Sequence, residues 1–336
     1  MPNRIPNVFP RIISLLPSAT ESLCAIGAGH LLVGRSHECD FPPAITHLPV
    51  LTSQAIPAEL ASDPAAIDAK VREQLATGNS LYQVNEQLLR DLKPDLILTQ
   101  DLCEVCSIDL KTVRRIAGSI NPAPAIVSLN PQTFEGVLDD LYTIGLACGF
   151  EKHAVEAVAR LRERMFAASE FVNAFEDGPN VVFLEWTDPL FVGGHWTPQL
   201  IERAGARHPL NAPIPKENAG AAAGPQMAER IAGKSIRVSH EVVEALNPDA
   251  LIICPCGMSL AQTRTCAASL LEHDWFRSLK AVRTNRIALV DGNQMFNRPG
   301  PRLVDAFEFL VGWLNHRPEL IPPDFPWEPQ ADTPQP

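Results

Sequence analysis

Apolar positions in this chain gather into short continuous runs separated by amphipathic stretches, the pattern of buried strands alternating with helices. Residues 12–16, Ile-Ile-Ser-Leu-Leu, form the first run, too short for a helix and too apolar for a surface strand. Pro17 stops it. Ser18-Ala-Thr-Glu21 then predicts a capping box, in which the serine hydroxyl and the glutamate carboxylate satisfy each other's end of a new helix. A second short strand runs into the polar loop of Gly34-Arg-Ser-His-Glu-Cys-Asp-Phe-Pro-Pro43. The pattern then repeats. Leu92-Lys-Pro-Asp-Leu-Ile-Leu-Thr-Gln100 matches Leu246-Asn-Pro-Asp-Ala-Leu-Ile-Ile-Cys254, each a helix end, a Pro-Asp turn and a buried strand. Amphipathic segments precede both, over 84–92 and 239–246, and the strand openings at 11–16 and 180–185 correspond. One α/β lobe is used twice.

Between the halves, 133–146 and 151 to about 175 read as helix. In the second, Ala154, Val158, Leu161 and Met165 recur at helical spacing with charged residues between them. Its uninterrupted reach is about 35 Å at 1.5 Å per residue, which makes a stiff connector. The organisation expected is an N-terminal α/β lobe over 1–146, a connector helix over 147–176, a C-terminal α/β lobe over 177–321 and a loose Pro-rich tail over 322–336. An insertion at about 53–81 interrupts the first lobe, with a helix over 63–75 that Asp63 caps and Pro64 opens. It serves either as a lid or as extra packing.

Composition narrows the function. With 336 residues, 46% of them hydrophobic, the chain has ample material for two cores. Its formal net charge of -11 argues against a nucleic-acid partner, since phosphate binding needs a basic face. No apolar run approaches the roughly 20 residues that cross a bilayer. Residues 1–10 hold three prolines and no apolar core segment, which predicts a cytoplasmic protein; the alternative is a periplasmic one whose leader is missing from this chain. In a reducing compartment, clustered thiols read as metal-binding or redox groups before disulfides.

Parallel sheets would place the polar loops at the same strand ends in both lobes, facing one cleft. Five of the eight cysteines lie there: Cys39, Cys103, Cys106, Cys254 and Cys256. Cys103-x-x-Cys106 has the spacing that grips a tetrahedral metal or exchanges a disulfide, and His37 with Cys39 can complete a zinc or iron-sulfur site. The alternative is that these thiols pack as small hydrophobes. Trp186, Phe191, Trp196 and Phe296 concentrate in loops of the second lobe, where flat rings suit a large planar ligand. The competing reading has them roofing the sheet. His195, beside Trp196, is a candidate ligand to cobalt or iron. Arg298 and Arg302 precede the final helix over 303–314. A cation at a helix start opposes the dipole, so both are expected to reach a carboxylate or an anionic ligand. Ser36 and Glu38 complete the candidate contacts. No Gly-x-Ser-x-Gly elbow or phosphate-cradling Gly-rich loop occurs, so nothing resembles a hydrolase.

From residue 11 to about 314 the chain resembles the cobalamin-binding-like branch, leaderless subgroup, of the cobalamin and iron-siderophore substrate-binding proteins of ABC transporters. The motifs are Ser14-Leu-Leu-Pro-Ser-Ala-Thr-Glu21, Asp40-Phe-Pro-Pro43, Leu92-Lys-Pro-Asp95, and Phe296 with Arg298 and Pro301-Arg302. The resemblance implies two Rossmann-like α/β lobes joined by a long connector helix, the helical-backbone fold of that family. It also implies a non-catalytic protein holding cobalamin or another corrinoid, with a ferric siderophore or haem-like ligand second, and an ABC permease as partner. Trp196, Phe296 and Arg298 occupy plausible equivalents of the corrin-holding side chains. The insertion and the five loop thiols depart from the pattern. They leave a second reading in which His37, Cys39, Cys103, Cys106, Cys254 and Cys256 ligate a metal in a cytoplasmic metalloprotein or redox enzyme.

Overall fold

The first apolar run becomes strand β1 (Ile12–Ser14), fully buried, in a computed structural model that describes residues 10–54, 63–77, 81–101, 108, 110–173, 177–220, 224 and 230–330. Two compact units contain these residues. Met1–Ile56, Val71–Pro131 and Gly136–Leu161 make the first; Pro57–Lys70, Gln132–Glu135 and Arg162–Pro336 make the second. Both are α/β, as the runs predict.

In the first unit β1 is followed by β2 (Leu32–Arg35), β3 (Thr52–Gln54), β4 (Tyr82–Val84), β5 (Leu96–Thr99) and β6 (Ala125–Ser128). The main sheet runs β2-β1-β5-β6, all parallel. Parallel neighbours need crossovers, and helices Pro17–Ala25 and Leu110–Ala117 supply two of them. Ile13, Leu51, Leu89, Ile97, Val113 and Ile116 form the core. At Gly34 a Cβ would sit 2.7 Å from Leu51 Cδ1 and 2.8 Å from Leu92 Cδ1, so a side chain there would push the flanking leucines apart. The insertion's helix, Pro64–Ala76, is preceded by β3 and followed by β4, which pair antiparallel as a two-stranded ribbon. Asp63 Oδ1 accepts the Ala66 N–H at 3.0 Å, the cap expected of it.

The first helix corrects one expectation. It starts at Pro17, with Leu16 extended as N-cap, and neither Ser18 nor Glu21 caps it; both are buried within it. Proline fits a first turn because that turn has no use for the missing N–H. A complete capping box occurs instead at Ser259 and Gln262, ahead of helix Leu260–Leu271.

The second unit contains β7 (Val181–Thr187), β8 (Leu190–Val192), β9 (Ile214–Pro215), β10 (Arg230–Ile231), β11 (Ile236–Arg237), β12 (Ala250–Ile253), β13 (Ile287–Val290) and β14 (Trp327–Pro329). Its sheet runs β11-β8-β7-β12-β13-β14, with β7, β12 and β13 parallel and the outer strands antiparallel. The residues of β12 and β13 are all buried, hence their unbroken apolar sequence. The tail is not loose through its length: β14 closes the sheet, and Phe325 is buried, stacked on Phe309 at 4.5 Å. Residues 331–336 lie outside the described residues.

The repeat read from the sequence returns as a repeated hydrogen-bond set. Lys93 and Asn247, each just before its proline, have positive φ of 45° and 47° and turn the chain out of the preceding helix. Asp95 Oδ2 accepts the Arg11 N–H at 2.8 Å, and Asp249 Oδ2 accepts the Asn180 N–H at 2.8 Å. In return the Asp95 N–H bonds Arg11 O at 2.8 Å and the Asp249 N–H bonds Asn180 O at 2.9 Å. Each aspartate pins the start of its own strand to the start of the neighbouring one.

The long helix runs Glu151–Ser169, 19 residues or about 28 Å, shorter than the sequence predicts. Ser169 Oγ donates to Met165 O, and the Phe171 and Val172 N–H groups bond three residues back, tightening the last turn until it ends.

Candidate functional site

In the first unit the loop after β2 is built around Arg35. Its Nη1 donates to Cys39 O at 2.9 Å and its Nη2 to Thr46 O at 2.7 Å, so one guanidinium closes the loop on itself. Ser36 is buried; its N–H bonds Ser14 O at 2.9 Å and its hydroxyl accepts the Glu38 N–H at 3.1 Å. His37 is held by Thr52, whose hydroxyl accepts the His37 N–H at 3.0 Å and lies 2.6 Å from Nδ1. Burial lowers its pKa, more than the nearby Glu38 carboxylate raises it, so the ring is neutral at pH 7. Tyr82 packs 5.7 Å from the imidazole and donates its hydroxyl to Glu38 Oε1 at 3.2 Å. Cys39 lies fully buried beneath the loop, its sulfur accepting the Thr20 hydroxyl at 3.0 Å.

In the second unit the polar loops collect at the C-terminal ends of β7, β12 and β13. Trp186, half-buried, donates Nε1 to Asp188 O at 3.0 Å and to Pro64 O at 3.2 Å. Glu185 accepts the Ser235 hydroxyl at 2.8 Å. Cys254 is fully buried at the end of β12, near Asp291 O and Asn297, and burial raises its thiol pKa well above normal. Cys256 is half-buried, its N–H on Glu185 O at 3.0 Å. Arg298 donates to Asn293 at 3.3 Å and Arg302 to Gln294 at 2.8 Å, so both almost buried arginines brace the loop after β13.

Two of the predicted ligand-contacting rings sit deeper than loop membership suggests. Phe296 is fully buried, edge-on to Phe183 at 5.0 Å, and Trp196 is 8% exposed with Nε1 bonded to Phe296 O at 2.7 Å. His195 differs. It precedes helix Trp196–Arg203 with φ 54° and ψ −118°, a conformation costly for any residue with a side chain. Its N–H bonds Gly233 O at 2.8 Å, and its ring lies on Trp196 at 5.4 Å with 26° between planes. Neither ring nitrogen has a hydrogen-bond partner among the described residues. Burial first, then the charge of Lys234, lowers its pKa, leaving a neutral imidazole at pH 7. The spacing of the Gly193-Gly-His195 run gave no hint of this strain.

The thiol-metal expectation gains nothing here. Among the described residues, no group of three or more His, Cys, Asp or Glu is placed to hold a metal ion. Cys103 and Cys106 lie outside the described residues. No described helix is long and apolar enough to cross a membrane.

Comparison with known proteins places the chain. The sequence profile of the family described as periplasmic binding protein matches residues 12–293. An ABC transporter substrate-binding lipoprotein of Bacillus subtilis is 26% identical over 305 residues, covering 90% of this chain and 78% of its own. A vitamin B12-binding protein of Photorhabdus laumondii is 26% identical over 316 residues, covering 91% and 88%. Among solved structures, a periplasmic heme-binding protein from Roseiflexus sp. RS-1 in apo form superposes with TM-score 0.65 at 21% identity, covering 92% of this chain and 99% of that one. The periplasmic vitamin B12-binding protein of Vibrio cholerae gives 0.61 at 19%, covering 92% and 98%.

Proposed function

The chain belongs to the periplasmic binding protein family, transporter substrate-binding proteins that are not enzymes, and from that premise we propose that it captures a metal-centred tetrapyrrole, a corrinoid first, for delivery to an ABC permease. The observation that carries this reading is His195, a neutral imidazole held in a costly backbone conformation against a tryptophan, with both ring nitrogens unengaged among the described residues. Strain of this kind persists where the surroundings impose it, and such positions cluster at binding sites. A neutral imidazole is the form that ligates cobalt or iron. Trp186 and Cys256, at strand ends of the same unit, supply further aromatic and polar contacts. The buried Phe296, Arg298 and Arg302 shape these loops from below. A vitamin B12-binding relative supports the corrinoid, and haem is the nearest competitor. The family also favours an extracytoplasmic setting, and nothing in it supports the cytoplasmic one predicted from the sequence.

The test is a visible-absorption titration of the purified protein with aquocobalamin and, separately, hemin. One equivalent of aquocobalamin should bind with a spectral shift, and His195→Ala should weaken binding roughly tenfold or more while the protein still melts cooperatively. Stoichiometric uptake of hemin alone would replace the corrinoid by haem. No uptake of either would sink the proposal.

A further inference from the structure

At the opposite edge of the second unit's sheet, where β7, β12 and β13 begin, the structure has a concave site of about 510 Å³ with no assigned role. Its lining sets Arg207, Lys280 and Arg286, beside the His316 imidazole, against Asp177 and Asp249. On a chain with net charge -11, a concave surface where cations outnumber carboxylates is out of character.

The carboxylates are accounted for. Asp249 gives one oxygen to Lys280 Nζ at 2.6 Å and the other to the Asn180 N–H at 2.8 Å. Asp177 stands 88% exposed, 3.5 Å from Arg207. Arg286 is the group left over. Its guanidinium is half-buried over the Trp313 ring at 4.8 Å, and both Nη atoms reach only the Trp313 carbonyl, at a long 3.5 Å. It has no carboxylate partner among the described residues. Its backbone is fixed at the head of β13, with N–H on Ala281 O at 2.8 Å and O accepting the Leu251 N–H at 2.9 Å. A planar fork of donors, held in place and short of acceptors, has the geometry that takes an oxyanion through two parallel N–H bonds. Burial lowers the pKa of Arg286, the mark of a charge that lacks compensation.

We propose that this edge of the second unit is a binding site for a small phosphate-type oxyanion, held by Arg286 with Arg207 and His316 around it. The site is independent of the ligand loops, which lie at the other ends of the same strands.

Calorimetric titration of the full chain with inorganic phosphate in low-salt buffer, with chloride at matched ionic strength as control, tests it. Phosphate should bind saturably at one site where chloride does not. Arg286→Gln should weaken binding about tenfold or more, as loss of a charge-assisted bidentate contact does, with an unchanged melting profile. Arg207→Gln should weaken it several-fold and stands in should the first variant fail to fold. Glycerol phosphate in a parallel titration separates a free anion from a phosphomonoester: tighter binding of either supports the site and names its source. No saturable phosphate binding, or affinity unmoved by both variants, overturns the proposal.

Discussion

His208 ties the stability of the second unit to pH through one buried ring. It is 1% exposed, its Nε2 accepts the Phe183 N–H at 3.3 Å, and burial holds its pKa down to about 4. An unfolded histidine titrates near 6.5. The folded value lies below the unfolded one, so between them the unfolded chain binds the extra proton. This contribution is therefore complete above about pH 6.5 and is lost as pH falls toward 4, about 3 kcal/mol in all. Melts of wild type and His208→Gln at pH 7 and pH 4.5 check it: the variant should lose most of the wild type's acid sensitivity, and equal sensitivity in both would refute the assignment. At this scale the sequence was read unevenly. His195 stood out by its neighbour Trp196, but its strained backbone and its bond to Gly233, on another segment, show only in the folded chain. Trp196 and Phe296 look like exposed loop aromatics in sequence; what buries Phe296 is Phe183, Phe309 and Phe325, from three distant stretches.

Among elements, the Pro-Asp turn was the most legible. Its two copies carry a positive-φ residue ahead of proline, Lys93 in one and Asn247 in the other, and the same aspartate-to-strand bond, because a helix that must stop and feed a neighbouring strand has few local solutions. Asp249→Ala removes the acceptor of the Asn180 N–H and the partner of Lys280, and should cost about 1–3 kcal/mol of unfolding free energy by urea titration. Asp95→Ala, at an exposed copy of the turn, should cost less. Negligible losses in both variants would show that the pins do not contribute. Capping was less legible: Ser18-Ala-Thr-Glu21 has the residues of a capping box, yet Pro17 opens that helix first.

For the whole molecule the C-terminal segment decides more than its composition suggests. Phe325 is buried against Phe296 and Phe309, and β14 covers the edge of β13 that would otherwise be open to pairing with another chain. Phe325→Ala should therefore destabilise the protein by about 3–5 kcal/mol in urea unfolding, and a change below about 1 kcal/mol would mean the segment is dispensable. The sequence by itself determined the α/β class, the doubled lobe pattern and the family, because buried parallel strands demand continuous apolar runs and their turns demand particular residues. Only the tertiary structure decided which loop groups stay available, where Arg286 is left without a carboxylate among the described residues, and that a proline-rich end closes a sheet. Those outcomes depend on side chains from distant segments competing for the same space and the same hydrogen bonds, and no local pattern encodes that competition.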